Sequence, residues 1–177
     1  MLNLKSRVDK IDVLHDEVET ITVVGRNFAI IDFSGFCYHS GGLALLEEFI
    51  AKNGGIVRKS VVKNTDYVII CPVAYKSTGN YKKPADEYEK AIALKNNGKP
   101  ISFISDLDFF VHFKLFSKLR VDNKLRVADA FLNDCTSFDE KEKQKIEKFI
   151  NDQKNTFKYK EYFDQAMDDY TKPIYDR

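Results

Sequence analysis

The residues best able to do chemistry gather at the end of one apolar run, Asn27 to Phe36, which reads NFAIIDFSGF. Asp32 brings a carboxylate to the end of a buried-strand pattern, and Ser34-Gly35 brings a hydroxyl and a turn. Two chemistries follow from those side chains. A nuclease strand needs a second carboxylate two residues on, because two divalent metals must be held about 4 Å apart to clamp the attacking and leaving oxygens. Here that position is Ser34, which has no charge to offer. Such an enzyme of the proofreading type also needs a late His with Asp four or five residues on. His112 is followed by Phe113 to Phe116 and then Ser117. The second chemistry, an anion held by a hydroxyl and a backbone amide, needs no metal.

Other catalytic signatures are missing. The sequence contains no Gly-x-Gly-x-x-Gly run, no phosphate loop and no Gly-x-Ser-x-Gly elbow. Cys37, Cys71 and Cys135 form no Cys-x-x-Cys pair, and His15, His39 and His112 lack ligand spacing. The expectation is a protein with no catalytic residues, no metal and no cofactor.

The elements that must position Ser34 and Gly35 are written in the periodicity. FAIIDF (28–33), IVRKSVV (56–62), DYVIIC (66–71) and PISFI (100–104) read as strands. LALLEEFIAKNGG reads as a helix with Leu45, Leu46, Phe49 and Ile50 on one face, stopped by Gly54-Gly55. PVAYKSTGNYKKPAD reads as a loop, and EYEKAIALKNNG as a second helix with Tyr88, Ala91, Ile92 and the stem of Lys95 along one side. SDLDFFVHFKLF is a third helix that Ser105 caps. The order β-α-β-β-α-β-α, with nearly continuous apolar strands, predicts an α/β fold with a mostly parallel sheet covered on both faces.

Segments on either side differ in character. Within residues 1–19, Leu4, Val8, Ile11, Leu14 and Val18 make one helical stripe, which suits packing on the domain or a dimer contact. In residues 119–177, RVADAFLNDC and DEKEKQKIEKFINDQ read as helices, the second capped by Asp139 and solvated on most faces. Phe157, Tyr159, Tyr162, Phe163, Met167 and Tyr170 follow, either as core or as a partner surface.

The middle segment resembles a BRCT domain, the BRCA1 C-terminal module of DNA repair and replication proteins. It is closest to the form carried by bacterial NAD-dependent DNA ligases and some exonuclease-like proteins. Four features in order carry the resemblance over residues 22–116: Phe33-Ser34-Gly35, Gly54-Gly55 twenty residues after Ser34, SVVKNTDYVII (60–70) and EKAIALKNNGKPISFISDLDFF (89–110). Phe109 sits where the family has its large aromatic. The resemblance implies a four-stranded parallel sheet in the order 2-1-3-4 flanked by three helices, the first and third on one face and the second on the other. It gives a domain at 20–118 between an N-terminal helical segment, 1–19, and a helical C-terminal extension, 119–177.

In phosphate-binding members a Ser or Thr hydroxyl and a Gly N–H hold the phosphate, with a Lys of the second helix adding a charge-assisted bond. Ser34 and Gly35 match those positions. Anchoring on Gly98-Lys99-Pro100 gives Lys90 the cationic role. Anchoring on Lys90-Ala91 instead sets Glu87 at the phosphate position, where it would repel the anion unless Lys82 and Lys83 compensate. DNA-end-binding members often carry an Arg at the start of the first helix, and Ser40-Gly41-Gly42 has no cation there. Under the competing reading Ser34 only caps the strand and Gly35 only makes the turn. Thr65 reads as a turn residue that satisfies backbone groups. Lys63 is a solvated lysine or a contact to a nucleic-acid backbone.

From Thr20 to Lys118, 13 Lys and Arg stand against 9 Asp and Glu, although the whole chain carries only +1. A mildly basic middle suits an anionic partner. The functional expectation is a non-catalytic binding module of DNA metabolism. Its partners would be DNA, through 5′-phosphorylated ends or nicks, and/or a DNA-metabolism protein, with phosphate held by Ser34, Gly35, Lys90, Lys83 and Lys63. The alternatives are an assembly module that dimerises through its flanking helices, or an accessory subunit of a DNA ligase or nuclease. No apolar run approaches the ~20 residues needed to span a membrane. MLNLKSRVDK has charges where a secretory leader needs an apolar segment. A cytoplasmic location, nucleoid-associated included, is expected.

Overall fold

Four apolar runs pair into one all-parallel sheet in the order β2-β1-β3-β4. The computed structural model describes Asp16 and residues 18–33, 40–71 and 82–155. Along them run β1 (Asn27–Asp32), α1 (Gly42–Lys52), β2 (Ile56–Arg58), β3 (Tyr67–Cys71), α2 (Lys82–Asn96), β4 (Ser102–Ser105), α3 (Asp106–His112), α4 (Val121–Asn133) and α5 (Glu140–Asn155). Short 3-10 turns at Phe116–Lys118 and Cys135–Ser137 flank α4. The N-terminal stripe from Leu4 to Leu14 and the aromatic tail from Phe157 to Tyr170 lie outside the described residues.

Residue alternation along the strands divides the core in two. Phe28, Ile69 and Ile104 meet Leu46 and Ile50 of α1 and Leu107, Phe109 and Phe110 of α3. Ala29, Ile31, Val68, Ile70 and Phe103 meet Ala91 of α2 on the opposite face. Phe109, fully buried, packs edge-on against Phe28 and Phe49. The expected covering of the two faces is thus observed.

Local chemistry explains where elements stop. Gly54 ends α1 with φ +76°, in the left-handed region. A Cβ on Gly55 would stand 2.6 Å from Ile50 Cγ2 and 3.0 Å from the Val23 carbonyl oxygen, so a side chain there would push α1 off the sheet. Ser105 Oγ accepts from Asp108 N (3.0 Å), and Asp139 Oδ1 accepts from Glu142 N (2.8 Å), as expected of N-caps. Thr65 Oγ1 accepts from Val62 N and closes the turn before β3.

Four boundaries differ from the sequence expectation by four or five residues. The third helix ends at His112 rather than Phe116, where Lys114 takes a positive φ of 55°. The second helix begins at Lys82, inside the expected loop, because Pro84 is tolerated in a first turn whose N–H groups have no intrahelical partner. The second strand ends at Arg58, because Val61 turns under the sheet to become fully buried. The fourth helix begins at Val121, five residues before the expected start at Arg126.

The outer edge of β4 is closed. Asp16 N donates to the Phe103 carbonyl, and Phe103 N donates to Asp16 Oδ2 (2.7 Å). Lys95 Nζ donates to both oxygens of that carboxylate at 2.6 Å. An edge strand so occupied has no free ladder to offer another chain at Phe103.

The extension joins the domain core. Leu125, Val127, Ala128 and Phe131 of α4 and Ile146 and Ile150 of α5 belong to the same buried cluster as Phe28 and Leu46. The link is polar as well as apolar. Arg126, 2% exposed at its side chain, forms a two-pronged ion pair with Asp106, which is fully buried at the start of α3 (2.8 and 2.9 Å). Asn123 Oδ1 accepts from Arg126 Nη1, and Asn123 Nδ2 donates to Ser40 Oγ at 2.9 Å.

Candidate phosphate-binding edge

In a parallel sheet the carboxyl ends of the strands face one edge, where ligands of open α/β folds commonly bind. Here that edge gathers Asp32 at the end of β1, Lys59 just past β2 and the first turn of α2. A cleft of about 180 Å³ opens there, lined by Ile30, Ile31, Asp32, Lys59, Lys83, Pro84 and Glu87. Ser34 and Gly35 follow Asp32 by two and three residues and lie outside the described residues.

The candidate cations separate clearly. Lys83 lines the cleft and is exposed. Lys90 is exposed on α2 beside buried Ala91 and is not among the lining residues. Lys63 is exposed in the turn before β3, toward the amino ends of the strands and away from the cleft. Of the two possible registers on α2, the cleft has Glu87 on its wall with Lys83 one turn earlier. The Glu87 carboxylate is engaged: Oε2 accepts from Val61 N at 2.6 Å. That bond spends part of its negative charge on the backbone that carries Lys59.

Lys59 is a cleft residue that sequence reasoning missed. The expected strand over 56–62 set it mid-strand; with β2 ending at Arg58 it stands at a strand exit, and every strand exit in a parallel sheet comes to the same edge. A cation also stands at the start of α1, although Ser40-Gly41-Gly42 supplies none. Gly41 has φ +73°, and a Cβ there would lie 2.8 Å from Arg120 Nε. Arg120, exposed just ahead of α4, therefore lies against the residue that opens α1. Ser40, held by Asn123, fixes the same point. The extension thus sets where the connection bearing Ser34 and Gly35 enters α1.

The remaining chemical side chains have structural surroundings. Among the described residues no group of three His, Cys, Asp or Glu is placed to hold a metal ion. Cys71 is buried and Cys135 exposed. His112 Nε2 accepts from Ile21 N (3.4 Å), which requires the unprotonated nitrogen. Burial pushes the His112 imidazole below its ordinary value, against the opposing charge of Asp108. The unfolded chain then takes up the proton first as pH falls. Stability from this group is complete above the ordinary histidine pKa of about 6.5 and is lost as pH falls through the lower folded value. Urea midpoints should therefore drop between neutral and mildly acidic pH, and His112→Gln should flatten that part of the profile. An unchanged pH slope in the variant would remove His112 from the account.

No described helix is long and apolar enough to cross a membrane. Comparison of the chain with protein-family models, curated proteins and solved structures finds no match.

Proposed function

We propose that the chain is a non-catalytic BRCT-type binding module of DNA metabolism that recognises a phosphate group, foremost at 5′-phosphorylated DNA ends or nicks. The observation that carries this reading is the meeting of Lys59 and Lys83 in a cleft at the carboxyl edge of the sheet, whose wall includes Asp32, two residues ahead of Ser34 in the sequence. The 2-1-3-4 strand order supports the family assignment. Arg120 against Gly41 adds a cation at the start of α1. Lys83 takes the lysine role in preference to Lys90, because Lys83 lines the cleft.

The parent chain should bind a 5′-phosphorylated nicked duplex more tightly than its dephosphorylated counterpart. Ser34→Ala/Lys83→Gln should lower that preference about 10- to 100-fold, the loss associated with a charge-assisted hydrogen bond of about 1.5–3 kcal/mol. Lys90→Gln should leave it unchanged. Equal binding of the two duplexes by the parent chain would refute phosphate recognition.

A second reading, a protein-assembly module acting through the helices, is favoured by Val121 and Leu132, 48% and 55% exposed on α4. Light scattering on the full chain separates it: a dimer that Leu132→Glu dissociates would assign those residues to an interface.

A further inference from the structure

We propose that the crossover from β2 to β3 forms a cationic track for the phosphodiester backbone of a nucleic-acid duplex, through Arg58, Lys59 and Lys63. It rests on the DNA-binding reading above and extends it from a phosphate end to the duplex behind that end.

The segment IVRKSVVKNT, residues 56–65, holds three cations and no acid. Arg58, Lys59 and Lys63 are all exposed, whereas Val61 between them is fully buried. Val61 packs with Ala29, Ile31, Val68 and Ala91, so the crossover lies pinned over the α2 side of β1 and lifts its cations outward. Arg58 is further fixed, because its Nε donates to Asn27 Oδ1 at 3.0 Å. The turn bearing Lys63 is held by the bond from Val62 N to Thr65 Oγ1.

Neighbouring carboxylates are turned to other work. Asp66 accepts from Asn27 N (2.8 Å) and from Arg26 Nη1, and Glu87 accepts from Val61 N. None of Arg58, Lys59 or Lys63 forms an ion pair with another described residue. The crossover's own charges are thus all positive, while Asp32 and Glu87 share the cleft wall with Lys59 at one end.

The stripe also has direction. Lys59 lines the cleft at the carboxyl edge, and Lys63 stands toward the amino ends of the strands. An extended chain reaches at most about 3.3–3.6 Å per residue, so Lys59 and Lys63 stand no more than roughly 15 Å apart along the crossover. Duplex DNA carries a charge every ~1.7 Å of axis, and a span of that size meets several phosphates. A peptide partner would want apolar anchors between the charges. The only side chains between Lys59 and Lys63 are Ser60, Val61 and Val62, with Val61 buried and the other two half-buried.

The test uses the full chain and a 5′-phosphorylated nicked duplex titrated over a range of salt. Each phosphate neutralised contributes about 0.9 to the slope of log K against log salt. Arg58→Gln/Lys63→Gln should lower that slope by about 2 while keeping the preference for the 5′-phosphate. Lys83→Gln should lower the phosphate preference and reduce the slope by only about 1, and Lys141→Gln/Lys148→Gln on α5 should change neither. An unchanged slope in Arg58→Gln/Lys63→Gln, with parent-like phosphate preference, overturns the track and spares the phosphate site. Competition by poly-glutamate as effective as duplex at equal charge overturns it in favour of an acidic polypeptide. A parent chain that binds no duplex at all overturns both readings.

Discussion

Arg126→Ala should lower the stability of the fold by about 3–5 kcal/mol, the usual loss when one partner of a buried ion pair is removed. The side chains of Arg126 and Asp106 are 2% and 0% exposed, so neither charge has water to fall back on. Removing the guanidinium takes away both hydrogen bonds to the Asp106 carboxylate and the bond to Asn123 Oδ1. The carboxylate keeps a bond from Leu107 N at the start of α3, which offsets a small part of the loss. Asn123 would also be freed from one side, loosening its bond to Ser40 and with it the start of α1. Arg126→Met/Asp106→Leu removes both charges and should recover most of the loss, because a well-packed apolar pair of similar volume often matches a buried ion pair. Urea titration of the three proteins reads these differences at constant m-value. A loss below about 1 kcal/mol for Arg126→Ala would mean that the pair is hydrated, and Arg126 would then not be what ties α4 to the start of α3.

That ion pair also shows what sequence reading reaches and what it misses. The strands were legible because YVIIC and FAII are runs that only a buried parallel sheet accommodates comfortably. Ser105, Asp139 and Thr65 were legible because each acts on a backbone group three residues away. The strand order 2-1-3-4 came from the family resemblance, since periodicity fixes which residues face a sheet but not which strands adjoin. The start of α2 was missed because Pro84 punctuates a sequence more strongly than it constrains a first helical turn. Arg126 and Asp106 are 20 residues apart, and no local pattern couples them. Lys90 and Lys83 are seven residues apart on one helix, so the sequence alone leaves both as candidates. Val61 N holds Glu87, and the cleft at the end of β1 is lined by Glu87 and by Lys83 one turn earlier, not by Lys90.

A chain ended after Lys118 should fail to fold cooperatively, although residue 118 is where the family resemblance closes the domain. The extension supplies Leu125, Val127, Phe131, Phe138, Ile146 and Ile150 to the cluster that contains Phe28, Leu46 and Phe110. Burial of one such side chain is worth about 1.5–3 kcal/mol. Six of them rival the 5–15 kcal/mol of net stability typical of a whole domain. Part of that sum is offset, because residues removed from the chain no longer need to be ordered. What remains is the newly wetted surface. Phe116 loses its edge-on contact with Phe149, and Asp106 loses its ion-pair partner Arg126, leaving α3 without its outer cover. The truncated chain should show near-native far-UV dichroism, weak near-UV dichroism and dye binding to exposed apolar surface, as expected of a collapsed state without fixed packing. A sharp transition for the 1–118 chain within about 1 kcal/mol of the parent would instead make the extension an appendage, and the bond from Asn123 to Ser40 would then be dispensable to the fold.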